Sequence, residues 1–204
     1  MREELPAELR EALAVARRVL AESPTGELPL SVRRAIWDAL GEAPMPGSAG
    51  HRRRAALDLL AAERVKPVWE SAYPTDPTVD EVLDASRQVA QGERPAPWAD
   101  DIANRAEVHV LDLTSADRQF NAGSAGDAAV AALYAAAHDR DHDDLPADAD
   151  DYDLDSEDWD AGFLAALALA GGEVGDPAAS DVRRREFWEW YLREAVPAAW
   201  RSAT

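Results

Sequence analysis

The chain contains no cysteine among its 204 residues. That excludes disulfide scaffolds, thiol nucleophiles and cysteine-ligated metal sites. Lysine is almost absent, with Lys66 alone beside 20 arginines, and 40 acids leave a formal net charge of −19. Such a balance repels phosphate backbones, so no nucleic-acid partner is expected. No apolar run approaches the roughly 20 residues of a membrane helix, and Met1-Arg2-Glu3-Glu4 does not open a secretory signal. The expectation is a cytoplasmic protein with no membrane partner. Nucleotide-binding fingerprints and a nucleophile elbow are also missing, and Gly123-Ser124-Ala125-Gly126 follows no strand pattern. Neither catalytic residues nor a cofactor are expected.

Alanine occupies 43 positions and β-branched residues are few. This composition favours helices over strands. Apolar positions recur at three and four, which predicts an all-α fold of about eight helices in a single domain over 1–204, with 1–45 as an N-terminal helical extension. The first helix, 6–22, aligns Leu9, Leu13, Ala16 and Leu20, and the second, 29–40, aligns Val32, Ile36 and Leu40. A long third helix, 49–73, contains Pro67, whose missing donor should kink it near Glu63 and Arg64. Thr78 with Glu81 reads as a capping box for the fourth. Trp98, Ile102, Val108 and Leu111 are the apolar positions of the fifth, whose end within 113–122 is ambiguous. The sixth is expected at 127–139, the seventh at 157–170, and the eighth at 180–195 with Pro197 interrupting it. Trp69, Trp188 and Trp190 read as core.

Residues 139–160 hold twelve acids against Arg140, a charge of −11 in 22 positions. Calcium is one reading, since Asp151, Asp153 and Asp155 match the first ligands of an EF-hand loop, but Ser156 and Gly162 stand where Gly and Glu are required. A second is a transition metal held by His138 and His142, one helical turn apart, although the zinc-hydrolase pattern needs Glu where Asp139 stands and a third ligand is unassigned. A metal-binding protein or metal-dependent enzyme on those residues is therefore the alternative function. An acid–base pair is a poor fit because one wet loop gives all its carboxyls the same environment. The remaining reading is a protein-binding surface: Asp143, Asp144, Asp148, Asp150, Asp151, Tyr152, Asp153, Asp155, Glu157 and Asp158 would meet a cationic cleft, with Tyr152, Leu154 and Trp159 as anchors. Arg52-Arg53-Arg54 and Arg183-Arg184-Arg185 read as partners of the acidic surface, with phosphate or partner contact as the other option.

Three parts stand out by their order and spacing along the chain: Ala55-Ala56-Leu57 through Glu63-Arg64-Val65-Lys66-Pro67-Val68-Trp69-Glu70 followed by Tyr73-Pro74-Thr75-Asp76; Asp158-Trp159-Asp160-Ala161-Gly162-Phe163 followed by Ala170-Gly171-Gly172; and Arg185-Glu186-Phe187-Trp188-Glu189-Trp190-Tyr191-Leu192 with Ala195-Val196-Pro197. Together, over roughly 49–200, they resemble the fifth family of immunity proteins of bacterial polymorphic toxin systems. The resemblance implies an all-helical, non-enzymatic cytoplasmic protein that neutralises a cognate secreted toxin domain by stoichiometric binding. The acidic segment suits a basic, nuclease-like toxin domain as that partner.

Overall fold

A computed structural model describes residues 4–139 and 149–202. Every regular element in it is helical: α1 (Ala7–Glu22), α2 (Leu30–Ala39), α3 (Ala49–Ala72), α4 (Thr78–Ala90), α5 (Ala96–Asp117), α6 (Phe120–Ala137), α7 (Ala161–Ala170), α8 (Asp181–Trp190) and α9 (Val196–Ser202). Two single 3-10 turns, Asp151–Asp153 and Ser156–Asp158, precede α7, and a π turn, Tyr191–Ala195, joins α8 to α9. Among the described residues no helix is long and apolar enough to cross a membrane.

The alanines explain the arrangement. α6 packs against α3, α4, α5 and α7, and twelve of its residues are buried. A helix with so many close neighbours needs small side chains. At Gly126 a Cβ would lie 2.8 Å from both Val110 methyl carbons and 3.2 Å from the Trp69 ring, so hydrogen is the only substituent that fits. α7 is apolar on all sides and sits against α6 and α3. His51 links α3 to α6: its Nδ1 accepts from Gly47 N at 2.8 Å, which leaves Nε2 to donate to Ala135 O at 2.8 Å. Leu9, Leu13, Ala16 and Leu20 of α1 and Ile36, Trp37 and Leu40 of the α2 region enter the same apolar core as Leu57, Trp69, Leu133 and Trp188.

Several local expectations change. α4 starts after Pro77, with Thr78 as its first residue, and the Asp76 carboxylate takes the Thr78 N–H at 2.9 Å. α5 ends at Arg118 in the left-handed conformation, so α6 begins at Phe120, seven residues earlier than its periodicity suggests. α7 begins only at Ala161 because the preceding acids form the 3-10 turns. α3 runs unbroken through Pro67. Pro197 does not stop the last helix. The wider π turn carries the chain past its missing N–H, and the Leu192 carbonyl accepts from Arg17 of α1 at 3.3 Å. On α5 the buried stripe is Ala99, Ala103, Ala106, Val110 and Thr114; Val108 and Leu111, two of its larger apolar positions, are 60% and 63% exposed. Trp69 and Trp188 are fully buried, whereas Trp190 is half-buried.

Candidate functional site: the acidic segment and its arginines

The acidic segment is anchored at both ends by buried arginines. At its start, Asp139 receives Arg54 Nε at 2.9 Å and Nη2 at 2.7 Å, and also the Met45 N–H at 2.7 Å. Burial works against the Asp139 charge, but these donors outweigh it and hold the carboxyl below its usual range. Arg54 also donates to the carbonyls of Trp37, Gly41 and Glu42, which ties it to the end of α2 and the chain just after it.

Arg33 holds the other end. It lies on the inner face of α2, completely buried, where Val32 was expected; Val32 is half-buried. Its guanidinium meets both oxygens of Asp151, bonds Asp160 Oδ2 through Nε at 3.1 Å and Nη2 at 2.7 Å, and donates to Leu28 O at 2.6 Å. The Trp188 and Phe163 rings lie 5.3 and 5.5 Å from its Cζ. Burial alone would favour a neutral side chain, but the two carboxylates reverse that and keep Arg33 charged. Asp160 uses its other oxygen to cap α7, accepting from Phe163 N at 3.0 Å. One arginine thus fixes both the first 3-10 turn and the start of α7. Glu27 lies close to this cluster, and burial raises its carboxyl to about 7 against the pull of Arg33 and Arg184.

Asp151 is therefore corrected: it is buried under Arg33 and does not belong to an accessible surface. It is equally unsuited as the first ligand of a calcium loop. Asp150, Tyr152, Asp153, Asp155 and Asp158 are exposed on the two 3-10 turns. Glu157 lies in the second turn, while Asp143, Asp144, Asp148 and His142 fall outside the described residues. Tyr152 and Trp159 form an edge-to-face cluster with Phe163, and Trp159 Nε1 donates to Asp151 O at 2.8 Å. Phe163 supports the turns from within, and Tyr152 packs on this cluster from the surface. His138 ends α6 in an extended conformation, and its Nε2 lies 2.7 Å from Asp100. Among the described residues no group of three His, Asp or Glu side chains could hold a metal ion.

The arginine clusters are largely structural. Arg52 bonds Gly47 O, Arg53 bonds Leu40 O and stacks 3.4 Å from the centre of Trp200, and Arg54 serves Asp139. Arg184 meets Asp181 and Glu27, and Arg185 donates to Leu20 O and Ser23 O at the end of α1. Arg33 was not singled out by sequence. The available signal was its register: Leu30, Arg33, Trp37 and Leu40 share one apolar face. An arginine at such a position requires buried carboxylates somewhere else in the chain.

Comparison with known families decides the assignment. The family model for Immunity protein Imm5 matches residues 13–198. The chain belongs to the Imm5 family. The match starts within α1 and ends within α9, so the Imm5 region includes α2 with Arg33 as well as the acidic segment. Comparison with curated proteins gives no match.

Proposed function

We propose that this Imm5 protein acts in the cytoplasm of the producing cell, where it binds the toxic domain of a cognate polymorphic toxin stoichiometrically and blocks it. The exposed carboxylates of the 3-10 turns (Asp150, Asp153, Asp155 and Asp158) and Tyr152, joined by Glu157, Asp143, Asp144 and Asp148 of the same acidic run in the sequence, supply the face that draws in a basic, nuclease-like domain. Family membership carries the immunity role. The observation that supports this face is the Arg33 clamp, which gives the exposed acids a fixed backbone. Preorganised charge raises the association rate and enforces partner choice. No bond is made or broken by this chain in the proposal.

Co-expression tests it. The C-terminal domain of the secreted toxin encoded beside this chain should kill cells when expressed alone and spare them when this protein is present. Death in both cases overturns the proposal.

A further inference from the structure

α6 is the central helix, and it carries a single charged residue, Asp127. Phe120, Ser124, Asp127, Ala131 and Tyr134 recur along it at helical spacing. From Ser124 to Tyr134 this strip forms one wall of a groove of about 260 Å³, which Leu111 and Thr114 of α5 and Trp159 complete. Asp127 has no hydrogen-bond or ion-pair partner among the described residues. Burial pushes its carboxyl up to about 6, and the neighbouring Glu107 pushes in the same direction. Both influences oppose its charge, and no described cation relieves it.

Apolar side chains share the lining with Asp127: Val110, Leu111, Val130, Trp159 and Leu164. Leu111, 63% exposed, stands at the groove's open side. A partly desolvated carboxylate among such side chains is the arrangement of an anchor pocket, in which surrounding contacts exclude water and one central pair supplies most of the affinity. An anion would meet Asp127 and Glu107, and a purely aliphatic occupant would bury the carboxylate unpaired. A cationic side chain with an apolar stem satisfies both parts of the groove.

We infer that the α5–α6 groove is the anchor site for one arginine or lysine side chain of the bound toxin domain, with Asp127 as its counter-ion and Leu111 and Trp159 as apolar walls along its stem. This rests on the immunity reading and adds a separate role for α6: the acidic turns steer the encounter, and the groove holds the complex.

The experiment uses the catalytically inactivated toxin domain as the probe, with surface plasmon resonance on the full chain. Asp127→Asn and, separately, Leu111→Ser should each weaken binding roughly 10- to 100-fold, chiefly through faster dissociation. Leu111 is exposed, so its variant folds even if a change on α6 disturbs packing. Hydrogen exchange should slow along α5 and α6 on complex formation. If the wild-type chain binds and both variants bind equally well, the groove assignment is overturned while the immunity reading stands. If the wild-type chain neither binds nor protects, the immunity reading falls and takes the groove's occupant with it.

Discussion

Asp160 and Asp127 both reach into apolar surroundings, one from the foot of α7 and the other from the middle of α6. Asp160 meets the fully buried Arg33 and a backbone N–H, so each oxygen has a donor. Asp127 meets another acid and no described cation. The fold evidently supplies arginine where a carboxylate is part of the architecture. The difference assigns the two acids to different tasks: Asp160 holds the acidic segment in place, and Asp127 is kept at a cost to the free protein.

The largest expected effect breaks the satisfied side of this comparison. Arg33→Met leaves Asp151 and Asp160 buried without a counter-ion and should cost about 3–5 kcal/mol, read as a lower urea midpoint. The variant should also free the 3-10 turns, seen as faster hydrogen exchange over 149–163.

A smaller effect of opposite sign is expected on the other side. Asp127→Asn should stabilise the free protein at pH 7 by about 1–3 kcal/mol. The sign follows from linkage. Asp127 ordinarily titrates at 3.8, and in the fold it is raised to about 6. The native state therefore holds the proton more tightly, so the penalty is absent below about pH 4, grows between 4 and 6 and is complete above 6. The advantage of the variant over wild type should shrink as the pH falls from 7 to 4, measured by chemical denaturation across that range. Asp139 behaves in the opposite way. Its lowered pKa gives stability above the ordinary carboxylate range that is lost in acid, so Asp139→Asn should flatten the acid limb of the stability profile.

The smallest effect sharpens the contrast between placement and recognition. Replacing the exposed acids Asp150, Asp153, Asp155 and Asp158 by Asn should change stability by less than about 1 kcal/mol in total. The same variant should slow association with the toxin domain and weaken its salt dependence, measured by stopped flow, while dissociation changes little.

The sequence made the helices legible because their apolar spacing is regular, as the Leu9, Leu13, Ala16 and Leu20 stripe shows. It misled on α5, where the inward face is mostly alanine and the larger Val108 and Leu111 drew attention to the outward one. Burial in a small-residue interface follows from close approach, as at Gly126, and not from side-chain size. The acidic run was visible as charge, but its division was not. Asp151 and Asp160 are distinguished from their neighbours only by Arg33, 118 and 127 positions away. Asp127 carried a readable signal as the one charge in an alanine-rich helix, although only its surroundings reveal that no described cation pairs with it.

Two isosteric substitutions, compared by urea denaturation at pH 7, test the division between held and waiting carboxylates most directly. Asp160→Asn should lower stability and Asp127→Asn should raise it. Equal signs for the two would contradict the account.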